Sequence, residues 1–254
     1  MNKSQQTGFL TTVEYDDGPN LVATLRSRLM DNWVVHLNRV PHEIDLLTFY
    51  TKLTDNLGRI IMADEGADGE RNFQRWTNVE FIKEQQHTFR HSATRQPLHT
   101  DNAYISFEQN VVFFYCVRPA PVGGATTFID GQNVVGLLET YEPKLFDELS
   151  LREVVFGKGE SGQRVRKIIE YDERGISLNW NYFRVDRANN RAATIEMCER
   201  FHQFCEHKLV EGGLLTPIKL EAGECVIFHD ERVLHGRNSF FGDRCPMKGG
   251  IQFE

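Results

Sequence analysis

Gly223-Glu224-Cys225-Val226-Ile227-Phe228-His229-Asp230-Glu231-Arg232-Val233-Leu234-His235-Gly236-Arg237 sets two apolar runs on either side of a polar turn. Each run is too short for a helix and is rich in β-branched or aromatic residues, so each reads as a strand. The polar four, His229 to Arg232, read as the turn of a hairpin between them. Outward from this stretch the same signal recurs. Segments 103–117, 125–129, 151–156, 165–171, 176–180, 214–220 and 248–253 are strand-like and separated by turn residues. Two helices, about 132–149 and 189–210, interrupt them. Strands that do not alternate with helices argue against a doubly wound sheet. The pattern is mainly β, a sandwich or jelly roll with flanking helices packed outside.

The N-terminal part is different. Leu21, Leu25, Leu29 and Met30 recur at helical spacing over 20–32, with Asn20 placed to cap. A short strand over 33–37 follows, then a second helix over 41–57 with Pro41 in its first turn and Gly58 closing it. Residues 59–63 read as a strand and 64–71 as a charged, exposed loop. With no repeat and no linker, the chain reads as a single domain, 1–254, in which a region of about 1–75 packs on a β core of about 76–254.

Composition narrows the function. Hydrophobic residues are 40% and charged residues 26%, ordinary globular usage that excludes a disordered chain. The net charge of −7 lacks the basic footprint of a nucleic-acid binder. No apolar run approaches the ~20 residues of a membrane helix. Met1 to Thr7 lacks an apolar signal core, so a cytoplasmic location is expected. Five cysteines without a Cys-x-x-Cys pair read as free thiols, not as a disulfide or zinc framework. The oligomeric state is left open, a homo-oligomer included.

The chemistry-bearing residues are histidines. His99 and Asp101 in Leu98-His99-Thr100-Asp101-Asn102 are two apart, so on an extended segment they share a face. His229-x-Glu231 repeats the pattern, and either match alone is what chance provides. His235, closing an apolar strand, is by itself an ordinary packed residue. Taken together, His99, Asp101 and His235 supply two imidazoles and one carboxylate, the donor set that binds non-heme Fe(II) and leaves positions open. His87 and His91 have helical i, i+4 spacing in a polar segment. Gly123-Gly124 lacks the Lys-Ser/Thr of a phosphate loop and reads as a turn. Cys198 and Cys205 lie seven apart, a core-facing helical stripe.

Four stretches, in order, resemble the Fe(II)/2-oxoglutarate-dependent dioxygenases of the taurine dioxygenase and clavaminate synthase group (the TauD/TfdA family). They are Leu98-His99-Thr100-Asp101, Pro121-Val122-Gly123-Gly124-Ala125-Thr126, Asp230-Glu231-Arg232-Val233-Leu234-His235-Gly236-Arg237, and Arg244 before a terminal strand. The resemblance covers about 95–254. It implies a double-stranded β-helix, the cupin-like jelly roll, with iron at one mouth. It implies that His99, Asp101 and His235 bind Fe(II), that Thr126 hydrogen-bonds the distal carboxylate of 2-oxoglutarate, and that Arg244 pairs with that carboxylate. Arg237, two residues past His235, is the rival for that pairing.

The implied activity consumes O2, decarboxylates 2-oxoglutarate to succinate and hydroxylates an unactivated C–H of a small polar metabolite, such as an amino acid or its derivative. A carboxylate at 101 argues against halogenation. Desaturation, epoxidation and cyclisation remain alternatives, as does a non-redox jelly-roll metalloprotein, an isomerase or binding module. Arg95, Asn102, Tyr104, Arg237 and Lys248 are the candidate substrate contacts. The segments 64–75 and 157–163 are candidates to close over the site.

Overall fold

A computed structural model describes residues 8–62, 74–86, 88–104, 109–157 and 163–254. Its frame is a pair of facing sheets. The larger has seven strands. In spatial order they are Gly8–Glu14, Asn32–Asn38, Cys225–His229, Val111–Arg118, Cys245–Gln252 and Arg59–Ile61, with Thr77–Asn78 also pairing Cys245–Gln252. The smaller has four, ordered Thr216–Ile218, Thr126–Asp130, Val233–Arg237 and Gln96–His99, all antiparallel.

Period-2 alternation explains why the strands read as continuous apolar runs. In Val111–Arg118, Val111, Phe113 and Tyr115 face helices α1 (Leu21–Asp31) and α2 (Leu46–Leu57). Val112, Phe114 and Cys116 face inward, against Phe128, Ile218 and Val233 of the smaller sheet. The outer face of the smaller sheet, with Leu98, Ile129 and Leu234, is covered by α3 (Gly131–Tyr141), α4 (Pro143–Leu151) and α5 (Ala192–Phe204). A strand buried on both faces has no polar alternation to show. The N-terminal region contributes three strands to the larger sheet as well as the two helices packed on it. Gly8–Glu14 and Asn32–Asn38 pair in parallel, joined through α1.

Several sequence expectations are corrected. The hairpin over His229–Arg232 does not form. Cys225–His229 pairs with Asn32–Asn38 and Val111–Arg118 in the larger sheet, whereas Val233–Arg237 pairs with Gln96–His99 and Thr126–Asp130 in the smaller. The single turn Asp230–Arg232 carries the chain across, pinned by the Asp230 N–H to the Asn110 carbonyl at 3.1 Å. Local pattern cannot tell a hairpin from a corner between sheets, because both need a polar turn between apolar runs.

The helix over 132–149 is two helices. Glu142, at φ −140°, breaks it, because Pro143 disfavours the helical conformation in the residue before it and then opens α4. α2 starts at Leu46 rather than near Pro41, since Asp45 is the residue whose side chain accepts the Thr48 N–H. Asn20 makes no side-chain cap, being itself helical at φ −89°, ψ −11°. The 165–171 run splits at Ile168 into Gln163–Lys167 and Ile169–Asp172, each in its own two-stranded ribbon.

The 189–210 helix runs as α5 and then widens into a looser turn over Cys205–Val210. The strand expected over 103–117 is Val111–Arg118, and 105–108 lie outside the described residues. Most of the candidate closing segments 64–75 and 157–163, His87 and Met1 to Thr7 lie there too.

Candidate metal and cosubstrate site

The site forms at one mouth between the sheets. His99 ends the edge strand Gln96–His99, and His235 sits directly across from it in the register of Val233–Arg237. Asp101 lies in the turn just beyond His99. The three side chains are buried, and one ligand atom from each lies within 4.8 Å of the others. His99 Nε2 is 3.8 Å from Asp101 Oδ1, and His235 Nε2 is 3.9 Å from Asp101 Oδ2. The expected convergence is present.

Each donor is prepared for a metal. His99 Nδ1–H donates to the Pro97 carbonyl at 2.9 Å, which leaves the Nε2 lone pair facing the site. Gln96 Nε2 donates to that lone pair at 3.2 Å. Burial pushes both His99 and His235 below the ordinary imidazole range, so both are neutral ligands near neutral pH. Burial alone would raise the Asp101 carboxyl; the Lys248 ammonium and the two imidazoles overrule it and hold the group well below the usual carboxylate range. Phe114, Phe128 and Phe228 pack around the His235 ring and keep it dry.

Asp230 was not singled out by the sequence. It is fully buried in the corner between sheets, and its carboxylate accepts the backbone N–H groups of Asp101 at 2.9 Å and Asn102 at 2.8 Å. Its Oδ1 also lies 3.8 Å from His235 Nδ1. A carboxylate right after an apolar strand was the available signal, but the hairpin reading placed it at the surface.

The cosubstrate candidates lie on the same inward face. Thr126 pairs in register with Arg237 and Phe128 with His235, so Thr126 stands two residues along the ladder from the metal ligand. That is about 7 Å, the length scale of a five-carbon dicarboxylate. Thr126 and Arg244 line one cleft, separate from the larger cavity over the triad. Arg244 is admitted by Gly124, at φ +76°, where a Cβ would sit 3.3 Å from the Arg244 Cδ. The turn expected at Gly123-Gly124 is corrected: Gly123 ends the short strand Val122–Gly123, paired with Phe240, and Gly124 links that strand to Thr126–Asp130, both glycines at positive φ.

Arg244 Nη1 is buried with no hydrogen-bond partner among the described residues, and burial pulls the guanidinium down to about 10. Arg237 is engaged elsewhere: its Nη2 donates to the Ser92 and Thr94 carbonyls at 2.6 and 3.0 Å. Burial and the neighbouring Arg244 charge take it to about 9.

A cavity of about 480 Å³ opens over the triad. Of the candidate substrate contacts, Tyr104 and Lys248 line it. Arg95, Asn102 and Arg237 are not among the described residues that line it. Arg95 is ion-paired with Glu206. The Asn102 side chain turns inward to the Gln109 carbonyl. Arg237 ties down the 92–94 segment.

The second His-x-acid match is structural. His229 Nε2–H donates to the Leu29 carbonyl at 2.8 Å, and burial takes the imidazole to about 3. Glu231 is taken by Arg166 and Ser177. His91 lines the cavity but gives its Nδ1 to the Glu80 carbonyl. Cys198 and Cys205 are buried in the core under the helices, as the stripe predicted. Sequence reading also missed Arg90, Tyr182, Phe183 and Arg184, which line the cavity and carry no motif.

The family model described as taurine catabolism dioxygenase TauD, TfdA family matches residues 50–249. Gamma-butyrobetaine dioxygenase of Homo sapiens is 27% identical over 152 residues, 56% of this chain and 39% of that protein. Uridine-5'-phosphate dioxygenase of a Streptomyces species is 26% identical over 165 residues, 62% of this chain and 60% of that protein. The chain thus spans less than two thirds of the length of these curated relatives. Among solved structures, PvcB from Pseudomonas aeruginosa superposes with a TM-score of 0.68 at 15% identity, covering 97% of this chain and 87% of that one. Asparagine oxygenase, solved with Fe(II), 2S,3S-3-hydroxyasparagine and succinate, gives 0.65 at 15% identity, covering 91% and 77%. Both share the mainly β, cupin-like jelly-roll fold with this chain.

Proposed function

The chain belongs to the taurine catabolism dioxygenase TauD, TfdA family, by the match over residues 50–249, and on that footing we propose that it is an Fe(II)/2-oxoglutarate-dependent oxygenase. Its reaction is the hydroxylation of a C–H bond in a small polar metabolite, of the amino-acid-derived kind. The observation that carries this reading is the buried triad of His99, Asp101 and His235, two neutral imidazoles and one carboxylate. That donor set fits ferrous iron better than zinc or calcium.

When bound, iron with 2-oxoglutarate and O2 supplies the oxidant for C–H cleavage, with succinate and CO2 as coproducts. The protein supplies position and dryness. The Pro97 carbonyl fixes the His99 tautomer, and Asp230 holds the turn that presents Asp101. Arg244 and the Thr126 hydroxyl are the donors for the distal carboxylate of 2-oxoglutarate, a reading supported by the one cleft they line together, whereas Arg237 spends its Nη2 on the Ser92 and Thr94 carbonyls. Phe114, Phe128 and Phe228 exclude water around His235.

We read the chain as one domain working in a reducing cytoplasm, which its five free cysteines support. No helix among the described residues is long and apolar enough to cross a membrane. The deciding experiment is an anaerobic titration with Fe(II) and then 2-oxoglutarate. A visible metal-to-ligand charge-transfer band supports the reading. Iron binding without that band overturns it in favour of a metalloprotein outside the oxygenases.

A further inference from the structure

The cavity over the triad has a charge pattern that speaks to its substrate. Among the described residues that line it, Arg90, Arg184 and Lys248 are cations, and Asp101 is the one carboxylate. Asp101 is a metal-ligand candidate already facing Lys248 at 2.6 Å, so it has no charge to spare for a substrate cation.

The aromatic walls are taken as well. The Arg184 guanidinium lies over the Tyr104 ring at 4.7 Å. Lys248 Nζ lies over Phe114 at 5.9 Å. Tyr182 carries Arg187 at 4.9 Å and stacks on His202 at 3.8 Å. An aromatic cage binds a quaternary ammonium through open ring faces with no competing cation. Here three rings of the cavity each already carry a protein cation. No carboxylate among the described residues pairs with Arg184, which lines the cavity and whose guanidinium is a planar fork of donors.

Given the oxygenase reading of this same site, we infer that the substrate is an organic oxyanion, bearing a carboxylate, sulfonate or phosphate group held by Arg184, and that it carries no free ammonium or quaternary ammonium. Arg184 is the specificity-determining residue and Lys248 a second source of positive potential nearer the metal. A molecule with a cationic head would meet the charges of Arg184 and Lys248, and among the described lining residues the sole carboxylate is Asp101, already facing Lys248. An oxyanion finds a fork suited to two parallel hydrogen bonds.

The test uses two small probes of opposite charge, sulfate and tetramethylammonium, titrated calorimetrically under argon into the protein loaded with Fe(II) and 2-oxoglutarate. Sulfate is expected to bind and tetramethylammonium not to. Arg184→Gln should weaken sulfate by about tenfold or more, the worth of one charge-assisted pair. Arg184→Lys should recover part of the loss, and Arg39→Gln, an exposed charge paired with Glu14, should leave binding unchanged. Tetramethylammonium binding as tightly as sulfate, equal sulfate affinity in Arg184→Gln and the parent, or binding of neither ion would each overturn the inference. If the charge-transfer band does not form on loading, the oxygenase reading has failed. The same two titrations on the metal-free protein, with Arg184→Gln beside the parent, then still decide the charge preference of the cavity.

Discussion

Lys248 Nζ lies 2.6 Å from Oδ2 of Asp101, so an ammonium shares the carboxylate at the centre of the triad. Lys248 reaches it from the last strand, where it pairs in register with Phe114. A cation at that place has two opposed effects. It keeps Asp101 ionised, and it repels a dication bound by the same carboxylate. A bound dication would itself keep Asp101 ionised when the ammonium is removed, so the repulsion decides. Lys248→Met should therefore bind Fe(II) more tightly, by about tenfold. Weaker iron binding in a folded Lys248→Met would mean that the ammonium orients the carboxylate instead.

Asp230 should matter to iron although it is not a ligand. Its carboxylate accepts two backbone N–H groups of the turn that carries Asp101. Asp230→Asn presents a donor where one of those N–H groups needs an acceptor. Iron affinity should fall by about 10- to 100-fold, the usual cost of losing such outer support. Competition with a chromophoric chelator measures it, and a folded variant with parental affinity would remove Asp230 from the site.

The two buried arginines should separate by phenotype. Arg244→Ala should raise the 2-oxoglutarate requirement by about 10- to 100-fold while leaving iron stoichiometry intact. Arg237→Ala should instead lower the melting temperature, because the Ser92 and Thr94 carbonyls lose their donor. Initial rates against 2-oxoglutarate, together with thermal melts, distinguish them. Reversed phenotypes would mean that Arg237 holds the cosubstrate.

Acid should destabilise the metal-free protein earlier than its carboxylates require. The His229 imidazole is held neutral down to about 3, against an unfolded value near 6.5. A depressed histidine means that the unfolded chain binds the extra proton. Stability is then full above about pH 6.5 and falls as pH drops toward 3, by about 1.4 kcal/mol per unit for one proton. Buried His99 and His235, both lowered, add to the slope in the same direction. Denaturant melts at several pH values should show His229→Phe with a slope shallower by about one proton; an unchanged slope would exonerate His229.

His99, Asp101 and His235 were legible as a set through the resemblance, since either His-x-acid match alone is what chance provides, and the structure brings the three together. Thr126 and Arg244 were singled out through the order of the motifs around them, and both line one cleft. The jelly roll itself was legible as many apolar runs without helix alternation. What could not be read was which run joined which sheet. The polar group His229 to Arg232 satisfies a hairpin and a corner equally, and only pairing with Asn32–Asn38 and Val111–Arg118 decides between them. Arg95, Asn102 and Arg237 were reasonable by proximity in sequence. Each is drawn off by a partner distant in sequence, respectively Glu206, Gln109 with Asp230, and the 92–94 carbonyls. The break at Pro143 was readable and outweighs the helical periodicity on either side of it.

The corner that carries the chain between sheets also bears on how the molecule comes apart. The bond from the Asp101 N–H to Asp230 joins residues 129 apart in sequence, and the edge strand bearing His99 is held by only two register pairs with an irregularity between them. A metal shared by His99, Asp101 and His235 would close that long loop at its weakest seam, acting as a clasp as well as a reagent. Because such a clasp exists only in the native state, its binding free energy adds to stability and slows opening. Limited proteolysis should then show the Gln96–His99 edge cut more slowly with Fe(II) bound than without it, and equal cutting in both would remove the clasp.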